Sequence, residues 1–143
     1  MEPIRFAVIG TSMISENFIE TLASNKEALY LGSMGLSLKE SQAATETCGG
    51  MRPFADLEDI ASCPEVDAVY IATPNAIHYG QALTLADAGK HVLVEKPLSS
   101  DAAKVRHLIE LARERGVIAL EAMRPVHDPG TQKIKELLPR IGR

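Results

Sequence analysis

At 143 residues and 15.5 kDa the chain has the length of one typical domain, and a domain of about that size buries roughly 68–70% of the surface its unfolded chain exposes. Hydrophobic residues at 45% and charged residues at 24% exclude disorder, a fibre and a membrane bundle. A net charge of -4, a pI near 5.6 and 4% aromatic residues without Trp give neither attraction to a phosphate backbone nor a base-stacking platform, so no nucleic acid partner is expected.

Ile4–Ile9 reads as the first strand, and its Phe6–Ile9 run is too short for a signal peptide or a span, so a cytoplasmic protein without a membrane partner is expected. Ile14, Phe18, Ile19 and Leu22 then recur at helical spacing. Leu29–Met34 reads as a second strand and Leu38–Thr47 as a helix, followed by a short strand at Arg52–Phe54 and a helical turn at Leu57–Ala61. Ala68–Ala72 is the next strand. A helix holding Ile77, Gln81, Thr84 and Leu85 follows, with Asn75 as its cap and Gly89 at its end. His91–Val94 and Val117–Leu120 close the strand series, flanking a helix with Val105, Leu108, Ile109 and Ala112 that Ser100 or Asp101 caps and Gly116 ends. Cys48 and Cys63 form no CxxC and have no paired histidines, so free thiols are expected and no metal site.

Strand alternating with helix implies right-handed crossovers and an open parallel sheet covered on both faces, a doubly wound α/β domain over 1–125. After Glu121 the pattern breaks at Arg124-Pro125, Asp128-Pro129-Gly130 and Leu138-Pro139-Arg140, around a short helix at Thr131–Leu138.

The first strand runs into Gly10-Thr11-Ser12-Met13-Ile14-Ser15 and then directly into a helix, the context of a dinucleotide phosphate loop. Only Gly10 holds a fingerprint glycine position; Ser12 and Ser15 stand at the other two. Free amides at a helix start attract phosphate whichever small residues surround them, while a plain strand-to-helix turn without ligand reads equally well from this loop alone. Between Ala28 and Leu38 there is neither an acid nor an arginine to read a ribose. Ser37 is the one hydroxyl placed for that task, and the choice between NAD and NADP is not legible.

Two segments are more specific: Asp67-Ala68-Val69-Tyr70-Ile71-Ala72-Thr73-Pro74-Asn75-Ala76-Ile77-His78, and Ala88-Gly89-Lys90-His91-Val92-Leu93-Val94-Glu95-Lys96-Pro97. With Ile4–Gly10 and Glu121-Ala122-Met123-Arg124, in this order and spacing, they resemble the glucose–fructose oxidoreductase / inositol dehydrogenase (Gfo/Idh/MocA) family over nearly the whole chain. Members join an N-terminal Rossmann domain to a C-terminal domain on a large, mainly antiparallel sheet. The resemblance covers the first domain and makes 126–143 the start of the crossing to the second.

The resemblance implies NAD or NADP as cofactor, with Gly10, Thr11, Ser12, Met13 and Ile14 at the pyrophosphate and Ser37 toward the ribose. Thr73, Pro74, Asn75, Glu95, Lys96, Pro97 and Arg124 then border the nicotinamide half. His78, one turn into its helix, is either a cofactor contact or a packing histidine with satisfied hydrogen bonds. Lys96 is the implied catalytic group beside the substrate hydroxyl, and the family's Lys-Pro bond is commonly cis. Its partner Asp and His come from the second domain, so residues 1–143 alone are expected to be silent in catalysis. His91, His107 and His127 have no implied role. The implied activity is hydride transfer between nicotinamide and a sugar, cyclitol or related polyol, in a full-length protein that associates with itself through the second domain's sheet. A dinucleotide-binding or sensing module without chemistry, and a small scaffold that binds no nucleotide, are the other readings.

Overall fold

The computed structural model describes residues 2–141. Five parallel strands, β1 (Ile4–Ile9), β2 (Ala28–Met34), β3 (Ala68–Ile71), β4 (His91–Val94) and β5 (Ala119–Glu121), lie in the order β2-β1-β3-β4-β5. The helices are α1 (Met13–Ala23), α2 (Leu38–Thr47), α3 (Leu57–Ser62), α4 (Asn75–Asp87), α5 (Ala102–Arg115) and, after a 3-10 turn at Arg124–Val126, α6 (Pro129–Ile141). The doubly wound reading therefore holds. The chain winds outward from β1 to β2, then returns past it to β3, so strand order reverses between β1 and β3. Ligands of such sheets bind at the carboxyl ends beside that reversal.

Side chains alternate across each strand. Val8 and Tyr70 point to one face, where Ile19 and Leu22 of α1 cover them with Tyr30. Phe18 stacks on Tyr70 with ring centroids 3.9 Å apart, and Phe6 meets Phe18 edge-on at 5.6 Å. Ala7, Ile9, Val69, Ile71 and Val94 point to the other face, against Ile60 of α3, Leu85 of α4 and Leu108 of α5. Two polar fastenings hold the amino ends of the strands. Asp67 accepts from the Arg5 amide at 2.9 Å and from its guanidinium at 2.7 and 2.8 Å, and this partner holds the Asp67 carboxyl below the usual carboxylate range. Buried Lys90 donates to the carbonyls of Cys63 at 2.6 Å and Val66 at 2.9 Å, which closes the loop before β3.

Local signals placed most boundaries. Asp101 caps α5 by accepting from the Ala103 amide, and Gly116 ends it in the left-handed conformation at φ 69°. Four expectations need correction. Arg52–Phe54 forms no strand: the Arg52 amide reaches Leu31 O and the Phe54 amide reaches Ser33 O along the edge of β2, but the Ser33 amide between them donates to the Thr45 hydroxyl at 3.0 Å and returns no ladder bond. Asn75 is not a cap but the first residue of α4, after Pro74, and its side chain makes no capping bond. The last strand starts at Ala119 rather than Val117, because the Val117 amide is taken by Ala112 O in the helix-ending turn. The final helix is longer than expected, starting at Pro129 and containing Pro139.

Candidate functional site

The carboxyl ends of β1, β3, β4 and β5 open onto three adjoining clefts. Gly10 ends β1 with φ 107°, a conformation L side chains rarely adopt. A Cβ there would stand 2.4 Å from Ala72 O and 2.9 Å from Ala72 C, so only glycine lets this loop lie against the end of β3. Ser12 precedes α1 in extended conformation without a side-chain capping bond, and the helix's first hydrogen bonds are Ser15 and Glu16 amides to Ser12 O. The amides of Met13 and Ile14 thus have no carbonyl one turn back, which makes the helix start electropositive.

Two observations fit a dinucleotide at this loop. The bare backbone of Gly10 is a cradle that a Cβ would fill. The Ser15 hydroxyl, 1% exposed, is the one buried side-chain polar atom without a hydrogen-bond partner among the described residues, and it lines the cleft beside Gly10. An unpaired buried hydroxyl requires an explanation, and a phosphate or ribose oxygen supplies one.

The middle cleft, about 500 Å³, joins Ser12 and Ile14 to Thr73, Pro74, Asn75 and Lys96. It continues into a third of about 920 Å³ that runs from Glu95 and Lys96 to Arg124 and His127. Of the residues expected at a cofactor, Gly10 and Thr11 border the first cleft, while Ser12, Ile14, Thr73, Pro74, Asn75, Glu95 and Lys96 meet around the second. Arg124 faces the same Glu95-Lys96 edge from across the third. Met13 is exposed on the first turn of α1 and reaches the loop only through its backbone. Ser37 caps α2 by accepting from the Glu40 amide at 3.3 Å, which leaves its O–H proton uncommitted among the described residues. Pro97 is joined to Lys96 by a cis bond, and its carbonyl is turned inward to His78.

His78 also lines the middle cleft, and the structure shows its packing role. Its ring is fully buried, with Nε2 2.6 Å from Thr73 O and Nδ1 3.0 Å from Pro97 O, so it ties the loop after β3 to the loop after β4. Other side chains that fix these loops were not singled out from sequence. Tyr70 donates to Glu95 Oε1 at 2.6 Å, and burial followed by that carboxylate pushes the Tyr70 hydroxyl well above its ordinary value, so it remains a donor. Glu95 Oε2 accepts from the Lys96 amide at 3.2 Å, Glu121 Oε1 accepts from the Leu98 amide at 2.8 Å, and Thr73 donates to Gln81 Oε1 at 2.6 Å. Sequence carried no signal for the Tyr70–Glu95 and Leu98–Glu121 pairs, whose members lie 25 and 23 residues apart. Glu40 was also missed, although Ser37-Leu38-Lys39-Glu40 has capping-box spacing. Lys96 is exposed and enters no ion pair among the described residues.

Residues 4–123 match the family described as an oxidoreductase family with an NAD-binding Rossmann fold, GFO_IDH_MocA. The chain is 35% identical over 139 residues to scyllo-inositol 2-dehydrogenase (NADP(+)) IolU of Bacillus subtilis, covering 97% of this chain and 42% of that protein. The 3-ketoreductase KijD10 of Actinomadura kijaniata, solved with NADP and TDP-benzene, superposes with a TM-score of 0.91 at 29% identity, over 97% of this chain and 43% of that one. GenD2 from gentamicin A biosynthesis, solved with NAD, superposes with a TM-score of 0.88 at 27% identity, over 96% and 39%. The chain thus spans under half the length of these relatives. Among the described residues no helix is long and apolar enough to cross a membrane, and both cysteines are free. With the family match running across residues 4–123, the chain belongs to the Gfo/Idh/MocA oxidoreductases as their NAD(P)-binding Rossmann domain.

Proposed function

We propose that this domain is the cofactor half of an oxidoreductase that acts on a CH–OH group of a sugar, cyclitol or related polyol, with Lys96 as its catalytic group. The observation that carries the reading is the footing of Glu95-Lys96-Pro97. Tyr70 anchors Glu95, His78 faces the Pro97 carbonyl and Glu121 accepts from the Leu98 amide, so two buried side chains and one exposed carboxylate fix the segment around an unpaired lysine. A solvated surface charge needs no such footing. The cofactor supplies a hydride acceptor at its nicotinamide ring. The chain's residues do the rest: amides at the start of α1 hold phosphate, Thr73, Pro74 and Asn75 border the ring, and Lys96 Nζ exchanges a proton with the substrate hydroxyl.

The domain division also belongs to this reading. Residues 1–125 are the cofactor domain and 126–143 begin the crossing to a second domain, which supplies most of the substrate pocket and the remaining acid–base groups. Ile134, Leu137 and Leu138 of α6 stand exposed, which supports a packing partner for that helix. We place the full-length protein in the cytoplasm as a homo-oligomer. Ser12 and Ser15 in place of glycines favour one rival, a dinucleotide-binding module without chemistry. Calorimetric titration of residues 1–143 with all four cofactor forms, beside polyol turnover by the full-length protein, tests the proposal. The domain should bind and the full-length protein turn over, while the domain alone stays silent. A folded domain that binds none of the four forms removes the reading.

A further inference from the structure

At the carboxyl end of β2, where no acid or arginine stands in sequence, the fold brings one in from the following helix. Glu40 is the third residue of α2, and its side chain folds back across the groove between the phosphate loop and β2. Oε1 accepts from the Thr11 hydroxyl and Oε2 accepts from the Leu36 amide at 3.1 Å. Gly35 makes room for this path: a Cβ there would stand 2.9 Å from both Cγ and Cδ of Glu40. The Gly35 amide is held in turn by Ser41 Oγ at 2.9 Å. The carboxylate therefore has a built seat between Thr11 and Leu36.

That seat borders a cavity of about 250 Å³ whose lining includes Gly10, the unpartnered Ser15 hydroxyl and Glu16, and no lysine or arginine. In a doubly wound fold the adenosine ribose lies between the phosphate loop and the end of the second strand, where an acid takes its 2′-hydroxyl and an arginine its 2′-phosphate. Each Glu40 oxygen accepts one protein donor and keeps a lone pair for a ribose hydroxyl. A 2′-phosphate would bring about −1.5 to −2 charges against two carboxylates with no cation in the lining.

Resting on the cofactor reading above, we propose that Glu40, carried on α2 and folded under Gly35, reads the ribose hydroxyls and makes this domain select NAD(H) over NADP(H). The selectivity is not a property of the fold, since structural relatives were solved with NADP and with NAD. It belongs to the charge of this one cavity. Like charges brought together at an interface typically weaken binding by about 10²-fold, so the ratio of dissociation constants should lie near 10 to 100 in favour of NAD(H).

The test is fluorescence and calorimetric titration with NADH, NADPH and their oxidised forms, on wild type, Glu40→Gln, Gly35→Ala and Lys39→Ala, each checked for fold by thermal unfolding. Wild type should bind NAD(H) at least ten-fold tighter. Glu40→Gln keeps the size and an acceptor for Leu36 but removes the charge, and should bring the ratio within about three-fold by strengthening NADP(H) binding. Gly35→Ala, which displaces the carboxylate, should narrow the ratio in the same direction. Lys39 sits on the exposed first turn of α2 outside the cavity lining, and its removal should change nothing. Wild-type affinity for NADP(H) equal to or above that for NAD(H) overturns the proposal, as does an unchanged ratio in Glu40→Gln or a loss of NADP(H) binding confined to Lys39→Ala. Absence of binding to every form would instead fail the cofactor reading, and the selectivity would fall with it.

Discussion

Replacing Gly10 by alanine tests whether close packing of the phosphate loop on β3 holds the site open. The new Cβ would lie 2.4 Å from Ala72 O, about 1 Å inside ordinary contact, and both atoms belong to backbone that is already hydrogen-bonded. The Gly10 amide donates to Met34 O at 2.9 Å and the Ala72 amide to Ile9 O at 2.8 Å, so neither loop can retreat without loosening a ladder bond. A side chain at φ 107° adds backbone strain of about 1–3 kcal/mol, and the overpacking adds about 1–3 kcal/mol more. Reduced freedom of the unfolded chain returns about 1 kcal/mol. The net loss is about 1–5 kcal/mol. With an unfolding entropy of about 2.1 cal/mol/K per residue, the melting temperature of Gly10→Ala should fall by roughly 3–17 °C. Cofactor affinity should fall at least ten-fold, because the amides at the start of α1 move with the loop. Circular dichroism melts and cofactor titration measure both effects. Gly80→Ala is the internal control: its Cβ meets nothing within 4 Å inside α4, and alanine there should stabilise by about 0.5–1 kcal/mol. A Gly10→Ala protein that melts within about 2 °C of wild type and binds cofactor equally well refutes the packing argument.

Lys90→Met keeps the buried apolar stem but leaves the Val66 carbonyl without its Lys90 donor, while Cys63 O keeps the Val66 amide at 3.2 Å, and urea unfolding should show a loss of about 1–3 kcal/mol. Asp67 has its carboxyl lowered by Arg5, so the stabilisation it contributes is present above the unfolded value near 3.8 and is lost as pH falls through the lower folded value. The melting temperature of Asp67→Asn should therefore sit below wild type at pH 7, and the two should converge below about pH 4. In the full-length protein Lys96→Ala should leave cofactor affinity nearly intact while turnover drops by about 10²-fold or more, and Lys96→Arg should rescue little. Wild-type turnover by Lys96→Ala would make Lys96 a surface charge.

Elements whose causes are local were legible in the sequence. β1 and β4 follow their apolar runs residue for residue, α2 follows its Ser37 cap, and α5 lies between Asp101 and Gly116, because runs, caps and left-handed glycines act over a few residues. The Gly10 loop and the Glu95-Lys96-Pro97 end were legible for a related reason, since each follows a strand directly and a parallel sheet gathers such ends along one edge. What the sequence left open was set by contacts between distant residues. Whether Arg52–Phe54 became a strand depended on the Thr45 hydroxyl of α2, which takes the Ser33 amide that would have bonded back to it. Whether His78 met cofactor or packed inside depended on two carbonyls, one five and one nineteen residues away, converging on its ring. Glu40 shows the difference most plainly. Its spacing from Ser37 marks a helix start and nothing more, and only the folding of α2 against the ends of β1 and β2 puts Thr11 and Leu36 on either side of its carboxylate. A cap is decided by neighbours in the chain, whereas the charge of a cavity is decided by which walls the sheet brings together.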